Sequence, residues 1–117
     1  MVYEVRRAAG VARDLELIFE FLLSAAEGFG ESPERAFALA EARLDEIETA
    51  LDGLGRAPHQ GTLRPHLGPG LRNVTKGRAV IYFDTDDSRQ LLRVLAVFFG
   101  GQDHQSHILL RLLSDRP

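Results

Sequence analysis

The stretch Leu91-Leu92-Arg93-Val94-Leu95-Ala96-Val97-Phe98-Phe99 admits few architectures. It is bounded by a turn, Thr85-Asp86-Asp87-Ser88, and by Gly100-Gly101, and it reads as a strand. Side chains alternate between the two faces of a sheet, and here odd and even positions are both apolar. Such a strand belongs inside a sheet covered on both faces. That makes Arg93 its costliest residue, because a guanidinium taken out of water needs a partner.

The rest of the chain supplies the covering layers. Val2 to Arg7 alternates weakly and predicts a short strand ending at Ala8-Ala9-Gly10. Val11, Leu15, Ile18 and Leu22 then recur at helical spacing, with Leu17 and Phe21 widening the stripe, so residues 11 to 26 predict an amphipathic helix. Ser32-Pro33-Glu34 is a start signal for a second helix. Its seam is Phe37, Ala40, Leu44, Ile47, Leu51 and Leu54, the pattern of a helix lying along a partner helix. The two helices form an antiparallel hairpin joined by a short loop.

Residues 57 to 70 hold three prolines and three glycines and predict a surface loop. Leu71 to Thr75 and Arg78 to Asp84 predict strands around a tight turn at Lys76-Gly77. Residues 104 to 114 predict a short terminal helix with Ile108, Leu109, Leu112 and Leu113 on its apolar edge, and Asp103 is placed to cap it. The order is β-α-α-β-β-β-α, a helical hairpin on a small antiparallel sheet in one α+β domain over residues 1–117.

Composition narrows the chemistry. The chain has no cysteine, which excludes disulfides, a thiolate nucleophile and cysteine-ligated zinc and suits a cytoplasmic location. Its apolar run Leu15 to Leu23 is too short and too charged to span a bilayer, and neither a membrane nor an export segment is expected. Residues 1–57 carry 6 Arg against 12 acids and residues 58–117 carry 7 Arg and 1 Lys against 5 Asp, so an acidic first half precedes a mildly basic second. Thirteen of the fourteen cations are arginine, suited to carboxylate or phosphate.

Several local patterns, taken together in order, resemble the RelE/ParE toxins of bacterial type II toxin-antitoxin systems. They are Asp14-Leu15, Ile18 and Phe21-Leu22 in the first helix; Pro58, Gly61 and Arg64 in the loop; Pro69-Gly70-Leu71-Arg72 leading into the sheet; Ile81-Tyr82; Arg93-Val94-Leu95; and Gly100 with Asp103. The resemblance implies a toxin silenced by an antitoxin, with two branches. RelE-like members cut messenger RNA on the ribosome with converging cations, and ParE-like members poison DNA gyrase. Phosphoryl transfer without a metal needs several cations around one phosphate. Here Ala79 stands three residues before Tyr82, Arg78 would point to the opposite face, and Gly101-Gln102 replace an expected basic pair. The ParE-like branch is favoured: a gyrase-binding toxin, not an enzyme, with a ParD-like ribbon-helix-helix antitoxin and a toxin-antitoxin hetero-oligomer.

Partner contact is expected at Arg72, Lys76, Arg78, Tyr82, Arg93, Asp103 and His104. Each has a plainer alternative. Arg93 is an anchor for an antitoxin carboxylate or the internal partner of an acidic helix residue; Arg72 is a partner contact or a loop clamp. Tyr82 offers a stacking face or packs in the core. Lys76 and Arg78 flank a solvated turn. His104 and His107 share a helix face beside Asp103, but nothing aims His59 or His66 at them, so no metal or cofactor is expected. Leu17, Phe21 and the leucine-rich last helix leave more apolar surface than the sheet needs, which a partner segment would cover.

Overall fold

The computed structural model describes residues 2–100 and 104–114, with side chains of the last segment at 107–112. The elements are β1 (Glu4–Arg7), α1 (Val11–Gly28), α2 (Pro33–Gly53), a 3-10 turn (Leu54–Arg56), β2 (Thr62–Leu63), β3 (Arg72–Lys76), β4 (Ala79–Asp86), β5 (Leu91–Phe99) and α3 (His104–Ser114). The start of α2 forms as its sequence predicts: Ser32 Oγ accepts the Arg35 N–H at 3.2 Å and Pro33 occupies the first turn. The β3–β4 hairpin turns through Gly77-Arg78, one residue later than expected, with Gly77 at φ +61°.

The five strands lie in the order β1-β5-β4-β3-β2. The α+β order is the expected one, but the sheet is mixed. β1 pairs parallel with β5, in register Glu4 with Leu91 through Arg7 with Val94, while the other pairs are antiparallel. The meander from β2 to β5 reverses direction three times and returns beside β1 pointing the same way. Alternation in β1 specifies its faces and is silent on its neighbour. β2 is a second addition, two residues of the proline-rich loop recruited to the edge of β3.

The sheet has a core on each face. On one, Val11, Leu15 and Ile18 of α1 and Ile47 and Leu51 of α2 pack on Ala79, Ile81 and Phe83 of β4 and on Leu92, Val94, Val97 and Phe99 of β5. On the other, Leu67 and Leu71 from the loop and Ile108 from α3 cover Val80, Tyr82, Leu95, Ala96 and Phe98. β5 serves both cores because Phe83 pairs with Val94 while Tyr82 pairs with Ala96, leaving Leu95 as a bulge. The extra residue changes parity, so Leu92 and Val94 before it and Val97 and Phe99 after it face the helices alike.

Two-sided cover holds for β5 from Val94 onward and fails at Arg93. Cross-strand from Asp84 on the face away from the helical hairpin, the Arg93 side chain is 57% exposed. Its guanidinium meets Asp84 Oδ2 at 2.9 Å and Oδ1 at 3.3 Å, so the partner is a neighbour in the sheet, not the acidic helix residue weighed above. The open end of this face removes the burial cost that made Arg93 stand out.

Candidate partner-binding site

α1 is wider in its apolar arc than the sheet is in its cover. Leu15 and Ile18 are buried, whereas Leu17 and Phe21, on the flank of the same stripe, are 48% and 57% exposed. They line one wall of a groove of about 430 Å³ whose base is Val97, Phe98 and Phe99 at the end of β5 and whose far wall is His107 and Leu110 of α3. Phe21 and Phe99 meet as tilted rings 6.1 Å apart. The groove holds the excess apolar surface anticipated from Leu17 and Phe21.

Asp14 and Arg111 form its polar end. β1 stops at the level of Val94, where Ala8 N–H bonds the Val94 carbonyl, and beyond that the edge of β5 has no strand beside it. Two side chains take its place. Asp14, buried in the first turn of α1, accepts the Val97 N–H at 3.0 Å, and Arg111 of α3 donates to the Leu95 carbonyl at 3.1 Å. The guanidinium forks onto both Asp14 oxygens, which fixes α3 to α1 across the strand. Gly10 leaves room for it: a Cβ there would lie 2.7 Å from Arg111 Cζ. Sequence reasoning used Asp14 for its resemblance alone and passed over Arg111. The available signal was an acid on the apolar stripe, three residues after Val11 and four before Ile18.

The expected contact residues whose side chains are described, Arg72, Lys76, Arg78, Tyr82 and Arg93, are not among those lining this groove. Arg72 donates to the His59 carbonyl at 2.8 Å, tying the proline-rich loop to β3. Lys76 and Arg78 stand at the β3–β4 hairpin, and the Arg78 guanidinium lies 5.7 Å from the Phe99 ring centre. Arg78 therefore reaches the helix side of the sheet, the side of Ala79 rather than the opposite one, because a turn residue escapes the alternation of the strand. Tyr82 is wholly buried between Phe98, 6.0 Å away in a T-shaped pair, and the loop. Burial raises its pKa, opposed by a hydrogen bond with Asn73 and by Arg64, so its ring is core rather than a stacking surface. Asp103, like Gly101 and Gln102, lies outside the described residues; His104 opens α3, and its side chain lies outside them too.

A second cluster escaped the sequence. Tyr3 O–H donates to Asp87 Oδ1 at 2.9 Å, and His59 Nε2 meets the same oxygen at 2.9 Å. The hydrogen bonds from His59 and Tyr3 hold the Asp87 carboxyl below its usual range, and the Tyr3 phenol is pushed up by its bond to Asp87. Among the described residues no three His, Asp or Glu side chains converge as a metal site requires.

No protein-family model and no curated protein matches the sequence. Solved structures do match. The toxin-antitoxin complex RelBE2 from Mycobacterium tuberculosis superposes with TM-score 0.54 over 87% of this chain and 95% of its own, at 21% identity. The chromosomal ParDE toxin-antitoxin system of P. aeruginosa gives TM-score 0.61 over 85% of this chain and 97% of its own, at 20% identity. This chain has the RelE/ParE toxin fold. A mutant of the E. coli toxin RelE in the free state shares that fold at TM-score 0.59 over 97% of this chain and 99% of its own, with 8% identity. Identities of this size carry the path of the backbone and not the roles of the residues that line the groove.

Proposed function

We propose that this chain is the toxin of a type II toxin-antitoxin pair, that it acts in the ParE-like manner by binding DNA gyrase rather than by cutting RNA, and that a ParD-like antitoxin neutralises it. The fold shared with RelBE2, ParDE and RelE structures supports the toxin assignment. The choice of branch rests on one observation, the dispersal of the cations. Arg72 is spent on a loop carbonyl, Arg93 on Asp84, and Arg78 turns to the helix side. On the opposite face β3 and β4 bring Asn73, Thr75, Val80 and Tyr82, and the cation that reaches them, Arg64 of the loop, is tied to Asn73 Oδ1 at 3.2 Å, so no cluster of cations converges there among the described residues. A transition state that spreads charge over phosphate oxygens gains little from such a surface.

The antitoxin has a natural seat in the apolar groove between α1 and α3, where an amphipathic segment would cover Leu17, Phe21 and Leu110. Arg93, which engages Asp84 through Nε and one terminal nitrogen, is assigned through its other terminal nitrogen to a single antitoxin carboxylate at the sheet.

The test is induced expression without the antitoxin, followed by gyrase supercoiling and messenger RNA cleavage assays on the purified protein. Growth arrest with blocked supercoiling and intact transcripts is expected. Cut transcripts with normal supercoiling would select the RelE-like endonuclease, favoured by the likeness to RelE, and unaffected growth at verified soluble expression would select a non-toxic binding module of the same fold.

A further inference from the structure

On the side of the sheet that carries the helical hairpin, a cleft of about 200 Å³ opens between α2 and the tip of the β3–β4 hairpin, sharing only Phe99 with the α1–α3 groove. Three cations line it, Arg43 from α2 and Lys76 and Arg78 from the hairpin, over an apolar wall that includes Ile47, Ala50 and Phe99. Glu46 is the one acid among its lining residues, and it stands 3.8 Å from Arg43 with both side chains largely in solvent. An exposed pair at that distance contributes little. Among the described residues the Lys76 ammonium has no hydrogen bond or ion pair, and the Arg78 guanidinium lies over the Phe99 ring with no described carboxylate paired to it. Gly77, at φ +61°, makes the turn that sets Lys76 and Arg78 on either side of the tip. Among the described residues one acid thus faces three cations, in a chain whose total charge is −3.

We propose that this cleft binds the carboxylate of an acidic peptide segment carrying an apolar neighbour. The forked donors of Arg43 and Arg78 suit a planar carboxylate, Lys76 adds a point charge, and the apolar wall takes the adjoining side chain. A nucleic acid fits less well. Its backbone needs a run of cations, whereas the three here are flanked on α2 by exposed Glu41 and Asp45, with Glu46 in the lining itself, so a second and third phosphate would meet acids. The site stands independently of the toxin's target, since gyrase inhibition and RNA cleavage leave its geometry unchanged.

The experiment is fluorescence anisotropy on the full chain with a labelled hexapeptide alternating Glu and Leu. The comparison probes are the same peptide with Gln for Glu and a labelled single-stranded hexadeoxynucleotide. The Glu-Leu peptide should bind, and both the Gln peptide and the double variant Lys76→Glu/Arg78→Glu should weaken binding by about tenfold or more, since charge-assisted contacts are lost. Arg13→Glu, a charge reversal on the exposed face of α1, should leave the peptide's affinity unchanged. Circular dichroism checks the double variant's fold, and Lys76→Gln/Arg78→Gln replaces it if charge reversal unfolds the hairpin. Peptide binding that survives loss of both cations, tighter binding of the oligonucleotide, or no peptide binding at millimolar concentration would each overturn the proposal.

Discussion

At the scale of single residues, the most consequential side chain is Asp14. It closes the open edge of β5 and receives the Arg111 fork while itself only 5% exposed. Asp14→Ala leaves the Val97 N–H and the half-buried guanidinium without their acceptor, and chemical denaturation should show a loss of about 3 kcal/mol. Arg93, which drew attention in the sequence, has a weaker role in folding. Its pair with Asp84 is water-accessible, so Arg93→Ala should change stability by about 1 kcal/mol or less by the same measurement. The contrast is physical: a charge in an apolar string is visible, but whether water reaches it depends on what lies over that end of the sheet.

Asp87 and Tyr3 belong to the same scale and make stability depend on pH at both extremes. The Asp87 carboxyl titrates below its ordinary value of 3.8 in the folded chain, so its contribution is present above that value and disappears as pH falls through the lowered one. Tyr3 titrates above 10.0 when folded, so its contribution is complete below pH 10 and is lost as pH rises through the raised value. Thermal melts across pH should show Asp87→Asn with a smaller acid-side decline than the parent, and Tyr3→Phe with a smaller alkaline one. Neither partner was legible in sequence, since residues 3, 59 and 87 meet only after the loop and the β4–β5 turn have folded onto β1.

At the scale of elements, local chemistry carried further. Ser32 and Pro33 announce α2 because a cap and a fixed φ act within one turn, independent of the rest of the molecule. Ser32→Ala removes the acceptor for the Arg35 N–H and should cost about 1 kcal/mol in thermal or denaturant unfolding. β5 was legible as a strand for the same kind of reason, its apolar run being bounded by turn residues. Its bulge at Leu95 was not, because a run apolar at every position looks the same whichever parity faces the helices. The terminal helix was legible as an element, but its task was hidden in Arg111, an ordinary exposed-looking cation until β5 lends it a carbonyl.

At the scale of the whole molecule, two cores share one sheet, and α3 is the smaller core's main helical cover. Ile108 is fully buried there. Ile108→Ala should cost about 3 kcal/mol by denaturant unfolding, and because Arg111 lies one turn further on, it should also loosen the wall of the α1–α3 groove.

The sequence by itself determined the periodic features: helices, strands, their order, and an apolar stripe on α1 too wide for one sheet. These follow from side-chain direction and backbone preference over a few residues. Only the tertiary structure decided that β1 lies parallel to β5, that Arg93 stays in water and Asp14 does not, and that Leu17, Phe21 and Leu110 face one another across a groove. Each of these depends on which distant surface covers a residue, and burial, unlike periodicity, is a property of the neighbours.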